Sequence, residues 1–117
     1  MRKEEFRKWL TSVDGRNGAQ TSDHISRIKR IESAISVLDQ KDCDVEDECN
    51  KDGGVTLLDR LPLSSRRSMP ESVNLPLMSM GMARMRSSLR KYIDFLEWTK
   101  NLRLFKQVKF LFFQFRI

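Results

Sequence analysis

The sequence is poor in cysteine, histidine, proline and glycine. Its 117 residues include two cysteines, one histidine, three prolines and five glycines. Cys43 and Cys49 are too few for a disulfide framework, and they lack the second pair of ligands that a structural zinc site needs. The low proline and glycine content excludes a collagen-like or low-complexity chain. A single histidine leaves few side chains suited to acid–base catalysis or metal binding at neutral pH.

Long apolar runs are also missing. The longest run is a few residues, far short of the roughly 20 that a bilayer-spanning helix needs. The first five residues carry charges of both signs and lead into an amphipathic stretch, whereas a secretory signal has an apolar segment there. We therefore expect no transmembrane segment. A cytoplasm or a nucleus fits better than an export route, and we predict a cytoplasmic location.

The motifs of common enzymes do not occur either. His24 stands beside Asp23, but sequence neighbours do not face one another on a helix, so a catalytic relay with a nearby serine is not expected. We expect His24 to lie in solvent near the start of a helix. Gly53 and Gly54 are not followed by the residues of a phosphate-binding loop, and the acidic residues of 42–52 lack EF-hand spacing. We predict no enzyme, no metal site and no cofactor.

Basic residues are in excess, with a net charge of +6. The balance is +2 over residues 1–40, −4 over 41–61, +3 over 62–98 and +5 over 99–117. One short acidic region is therefore flanked by basic ones. Clustered positive charge favours polyanionic partners such as nucleic acid or anionic lipid.

Hydrophobic spacing predicts helices in the first part of the chain. The first helix has apolar residues at i, i+3, i+4 and i+7 and stops at the glycine-containing run 14–18. The second runs from Ser22 to Leu38 and has cap candidates at its start. The apolar positions are Phe6, Trp9, Leu10 and Val13 in the first helix and Ile25, Ile28, Ile31, Ile35 and Leu38 in the second, and the cap candidates are Thr21, Ser22 and Asp23.

Shorter elements and one long helix follow. Residues 42–52 are predicted to form one or two helical turns, and residues 55–61 a short apolar helix that ends at a proline. Residues 62–82, rich in methionine, proline and serine, form a connection of a length that is usually functional or mobile. The last helix runs from Met82 to Trp98, and its buried stripe is Met85, Leu89, Tyr92, Ile93 and Leu96, widened by Phe95 and Trp98. The pattern predicts an all-α bundle of four to five helices over residues 1–98.

The tail, residues 99–117, is basic and rich in phenylalanine. Leu104, Val108, Leu111 and Phe115 fit a helix, whereas alternation of apolar residues from Leu102 to Phe112 almost fits a strand. A segment this apolar must be buried, paired with a partner or seated on a membrane. A shifted or truncated reading frame after Trp98 would also explain its composition.

Two predicted helices combine an apolar stripe with a basic edge. Arginine and lysine neutralise phosphates and release counterions, which gives affinity for duplex DNA without sequence readout. The nearby hydroxyls of Ser26, Ser87 and Ser88 add donors to phosphate oxygens. The predicted nucleic-acid-binding residues are Arg27, Lys29 and Arg30 in the second helix and Arg84, Arg86, Arg90 and Lys91 in the last.

The order of these segments resembles a known family. Phe6-Arg7-Lys8-Trp9-Leu10, the helix opened by Thr21-Ser22, the acidic stretch and the run from Arg84 to Leu96 are similar to the N-terminal core-binding domain of phage integrases and other tyrosine recombinases. The resemblance covers roughly residues 5–98. It implies a SAM-like bundle from a mobile element that clamps duplex DNA with its second and last helices. The recombinase catalytic domain is absent, and Tyr92 does not match its nucleophile, so the resemblance implies a stand-alone or truncated DNA-clamp domain.

Two other functions fit the same sequence. A small protein-interaction module, such as a phage or defence regulator, would dock a partner or a second copy through the methionine-rich loop and the tail, because flexible methionines suit adaptable apolar surfaces. The cationic, aromatic tail would also fit the surface of a membrane.

Overall fold

The structure is a computed structural model that describes residues 1–61, 75, 76 and 79–114, with side chains described up to Leu104 except at Ser79. Within these ranges the chain is all-helical, which confirms the predicted fold class. The helices are α1 (Lys3–Ser12), α2 (Gly18–Asp39), α3 (Val45–Asp52), α4 (Val55–Asp59) and α5 (Ser79–Gln114). None of the described helices is long and apolar enough to cross a bilayer.

The start of α2 differs from the prediction. Asn17 caps the helix: its side chain accepts a hydrogen bond from the backbone N–H of Gln20 at 2.9 Å, and the Gln20 side chain accepts one from the N–H of Asn17 at 3.2 Å. This capping box satisfies two N–H groups that the first helical turn leaves without partners. The predicted caps at 21–23 are wrong, because the helix begins one turn earlier and Thr21 is buried within it.

A cluster of four aromatic rings holds α1 against α5. The Phe6 ring meets the Tyr92 ring edge-on, with centroids 5.0 Å apart, and lies 5.5 Å from the Phe95 ring. Trp9 completes the cluster, 6.0 Å from Phe95. Aromatic pairs in these arrangements contribute about 0.5–1.5 kcal/mol each beyond the burial of their area. The cluster therefore fixes the rotation of α5 relative to α1.

Most of the predicted core is confirmed. The isoleucines of α2 and the stripe of α5 are buried together with residues of α1, α3 and α4. Val13 is an exception and is 51% exposed, because α1 ends at Ser12 and the chain turns away at Gly15, whose φ of 72° is left-handed. Trp98 is 38% exposed, and Leu38 and Ile93 are only partly buried.

The short helix α4 depends on α5. Arg86 of α5 donates from Nη1 to the carbonyl oxygens of Leu58 and Leu61, the second at 2.8 Å. Leu58 lies in the last turn of α4 and Leu61 just beyond it, where carbonyls lack the full set of helical partners. The Leu58 carbonyl also accepts a hydrogen bond from the N–H of Leu61 at 3.0 Å. A five-residue helix is too short to be stable by itself, so this cap is part of what holds it.

Helix α5 is longer than predicted at both ends. It begins at Ser79 and continues without a break to Gln114, so its 36 residues span about 54 Å at 1.5 Å per residue. For residues 99–114 the helical alternative is confirmed and the strand is excluded. The described side chains from Lys100 to Leu104 are all exposed, so α5 leaves the bundle after Thr99. The predicted connection lies mostly outside the described residues.

Replacing Arg86 with alanine should lower the free energy of unfolding by about 1–3 kcal/mol, because the Leu61 carbonyl loses its charged donor and the Leu58 carbonyl loses one of two donors. Urea unfolding monitored by circular dichroism measures this difference. Arg90→Ala on the exposed side of α5 is the control and should stay within about 0.5 kcal/mol of the parent chain. Equal losses in the two variants would contradict this role of Arg86.

Candidate nucleic-acid interface

The contact between α2 and α5 contains a buried polar group. Ser88 of α5 is buried, and its Oγ lies 2.8 Å from Nδ1 of His24 in α2. The same Oγ accepts a hydrogen bond from Nη1 of Arg27 at 3.3 Å. Since the hydroxyl accepts from Arg27, its own proton can be donated to Nδ1 of a neutral imidazole protonated at Nε2. The serine thus links two residues of α2 to α5.

Basic side chains surround this group. Arg84, Ser88 and Lys91 follow at i, i+4 and i+7 on α5 and therefore share one side of the helix, the side that faces α2. Lys91 donates from Nζ to Oδ1 of Asp14 at 3.0 Å, and Arg16 donates from Nε to Oδ2 of the same carboxylate at 2.7 Å. The loop between α1 and α2 thus brings a further arginine beside α5. We call the four cations Arg16, Arg27, Arg84 and Lys91, together with Asp14, the α2–α5 edge.

The position of His24 corrects the expectation that it lies in solvent. Only 8% of the residue is exposed, because it lies within α2 and its imidazole packs against Ser88 of α5. Burial lowers the pKa of His24 below its ordinary value, and the positive charges of Arg27, Arg16 and Lys91 lower it further, while Asp14 opposes them. The imidazole is therefore neutral at physiological pH.

The structure divides the predicted DNA-binding residues into groups. Arg27 and Lys91 lie at the α2–α5 edge through their contacts with Ser88 and Asp14. Arg84 is exposed and shares this side of α5 by helical register, and Arg30 follows Arg27 at i+3 and is half-buried. Lys29 lies on the other side of α2, close enough to Lys3 of α1 to lower the pKa of that amine. Of the two remaining predicted residues, Arg86 lies against α4 and Arg90 is exposed on α5.

Sequence reasoning missed Asp14, Arg16 and the pairing of His24 with Ser88. The expectation that Ser88 donates to phosphate is wrong, because its hydroxyl is buried against His24. One signal was present: Ser88 falls at i+3 from Met85 and i−4 from Tyr92, so it lies within the apolar stripe. A serine at such a position needs a polar partner from another element. The partner itself depends on the rotation of α2, which the sequence pattern does not specify.

The cysteines offer no nucleophile. Burial raises the pKa of Cys43 to about 11 and that of Cys49 to about 12, with nearby carboxylates adding to both shifts. Both thiols are therefore protonated at neutral pH and unreactive. In the described part of the chain, no three His, Cys, Asp or Glu side chains lie close enough together to hold a metal ion.

The titration of His24 tests the buried pair. The unfolded chain binds the proton near pH 6.5, whereas the folded chain binds it only at lower pH, so stability should fall as the pH drops below about 6.5. As this is the only histidine, its NMR signals give the pKa directly. His24→Gln should remove the part of the stability loss that occurs between about pH 6.5 and 5, above the ordinary carboxylate range. A pKa at or above 6.5 would refute the buried, neutral state.

Comparison with known proteins gives no match that bears on the function of this site. The chain matches no protein-family model, no curated protein and no solved structure. The likeness to the core-binding domain of tyrosine recombinases therefore rests on the residues quoted from the sequence, and the function has to be argued from the α2–α5 edge.

Proposed function

We propose that the chain binds duplex DNA through the α2–α5 edge, as a stand-alone or truncated domain of the integrase type. The observation that carries the proposal is that the α2–α5 edge has four cations and one carboxylate on one side of α2, α5 and the loop that precedes α2. From Arg84 to Lys91 the edge rises about 10 Å along α5. B-DNA carries one negative charge per about 1.7 Å of its axis, so several phosphates would face the edge at once.

Three of the four cations of the edge, Arg27, Lys91 and Arg16, are held in place before any ligand arrives. Ser88 accepts from Arg27, and Asp14 accepts from both Lys91 and Arg16. Side chains that are already ordered lose less conformational freedom on binding. Asp14 also keeps the two cations close together despite their mutual repulsion, and a phosphate oxygen can share their remaining donors. Ser87 is exposed beside the edge, and its hydroxyl can donate to phosphate.

The resemblance to the recombinase domain supports the same surface. It implies that the second and last helices face DNA, and the edge lies where α2 meets α5. The described bundle with five helices is compatible with the fold that the resemblance implies. Contacts of this kind position a protein on DNA without reading sequence, so the proposal assigns no recognition site.

Duplex binding measured over a salt series tests the proposal. The logarithm of the association constant should fall linearly with the logarithm of salt concentration, by about 0.9 per neutralised phosphate. Arg27→Ala combined with Arg84→Ala should reduce this slope by about 2 and weaken binding at low salt. Lys41→Ala combined with Lys51→Ala removes the same charge from two exposed residues of the acidic region and should leave the slope unchanged. The interface would be refuted if the parent chain does not bind duplex DNA at low salt, or if both double variants lose the same affinity.

The pKa of His24 gives a second, independent measurement. A phosphate beside Arg27 and Lys91 offsets the positive charges that lower this pKa, so a saturating duplex should raise it. By linkage, the affinity for DNA should increase as the pH falls through the titration of His24. An unchanged NMR titration in the presence of bound duplex would place the DNA elsewhere on the chain.

A further inference from the structure

A cavity of about 320 Å³ opens between α1 and α5. Three aromatic residues line it, Trp9, Phe95 and Trp98, together with Val13, and its surface is mainly apolar. Trp98 is 38% exposed and Val13 is 51% exposed, so water covers apolar groups here. No residue of the α2–α5 edge lines the cavity. It is therefore a separate candidate site.

The size and the walls of the cavity suit one small, flat ligand. Ligand pockets in proteins are typically about 300–1,000 Å³ and are lined by apolar and aromatic side chains with a few polar groups. The cavity lies at the small end of that range. Aromatic side chains pack favourably against further aromatic rings, either offset or edge-on. The walls therefore favour a small planar aromatic ligand.

The few polar groups of the wall are mainly hydrogen-bond donors. The indole Nε1 of Trp9 is buried and has no hydrogen-bond partner among the described residues, which is uncommon for a buried N–H. The hydroxyl of Ser12 also lines the cavity, whereas the Thr99 hydroxyl already donates to the Leu96 carbonyl at 2.8 Å. A nucleobase, with several donors and acceptors on its edge, would leave most of them unpaired at such a wall. A ligand whose polar group only accepts hydrogen bonds fits better.

The charges beside the cavity favour an anion. Glu5 lines it, but Nη1 of Arg2 donates to Oε2 of this carboxylate at 2.9 Å and so offsets its charge. The same guanidinium lies over the Phe95 ring, 5.1 Å from its centroid, where a cationic ligand would otherwise bind. Lys8 also lines the cavity and is exposed, and its ammonium has no ion-pair partner in the described part of the chain. One positive charge therefore remains for a ligand.

We propose that the cavity between α1 and α5 binds a small planar aromatic carboxylate, with its ring against Trp9 and Trp98 and its carboxylate near Lys8. A lysine can lay its apolar stem along the wall and keep its ammonium in water, which suits an ion pair at the mouth of the cavity. A second copy of the chain is a poorer occupant, because each copy carries a net charge of +6 and the two repel each other. The proposal is independent of DNA binding, since the two sites share no residue.

Titration with three probes of one shape tests the proposal on the full chain. Naphthoate is the anion, naphthamide is neutral and naphthylmethylammonium is the cation, all substituted at the same ring position. The chain has two tryptophans, so two indole N–H signals in a nitrogen–proton NMR spectrum report on the cavity, and Trp98→Phe assigns them. Naphthoate should shift both signals saturably. It should bind about two- to fivefold more tightly than naphthamide, as for an exposed ion pair, and the cation should bind most weakly.

The role of Lys8 is tested with a matched pair of variants. Lys8→Gln should abolish the preference for naphthoate over naphthamide and leave the affinity for naphthamide unchanged, because only the ion pair is lost. Lys41→Gln removes the same charge from an exposed residue of the acidic region and should keep the preference. Equal affinities for the two probes in the parent chain would contradict the ion pair.

The place of binding is tested at the wall. Val13→Glu sets a negative charge beside the bound carboxylate and should weaken naphthoate binding by about fivefold. Val37→Glu is the control, because Val37 is equally exposed at 51% and does not line the cavity. Trp98→Ala removes one aromatic wall and should weaken all three probes by about two- to tenfold. All three positions are exposed, so the fold is expected to tolerate these changes.

Four outcomes would overturn the proposal. They are no saturable shift of the indole signals with naphthoate, tightest binding of the cation, equal loss in Val13→Glu and Val37→Glu, and self-association without any probe that Val13→Glu disperses, which would identify a second copy as the occupant. Failure here is distinct from failure of the DNA proposal. Lys8→Gln and Val13→Glu keep every cation of the edge, and Arg27→Ala with Arg84→Ala keeps the cavity.

Discussion

The packing of α5 against α1 and α2 is the constraint on which the rest of the structure depends. The rings of Phe6, Tyr92 and Phe95 fix how α5 is rotated about its axis. That rotation decides which neighbouring element each side chain of α5 inside the bundle faces. Ser88 and Lys91 turn towards α2 and its preceding loop, while Arg86 turns towards α4. Two basic residues of one helix, Arg86 and Lys91, therefore contact different elements.

Hydrogen bonding of buried groups explains the arrangement of the α2–α5 edge. A serine hydroxyl inside an apolar contact is unfavourable unless it is paired, and His24 and Arg27 supply the partners. The imidazole is itself buried among cations, which favours its neutral form. Asp14 offsets part of the positive charge and orients Lys91 and Arg16. The edge is thus an ordered set of donors, and its net positive charge remains available to a polyanion.

The sequence by itself determined the helices, most of the core and the alternation of acidic and basic regions. Those features follow from periods of 3.6 residues and from local charge, which each segment carries without its neighbours. The length of α5 was underestimated, because the tail's apolar residues fit both a helix and a strand. Only the tertiary structure decided which basic residues are neighbours. Lys29 and Arg27 are two positions apart in the sequence yet face α1 and α5 respectively, and Arg16 joins the edge from a loop. Such neighbours depend on the rotation and packing of whole helices, which are set by long-range contacts between rings and by one buried serine.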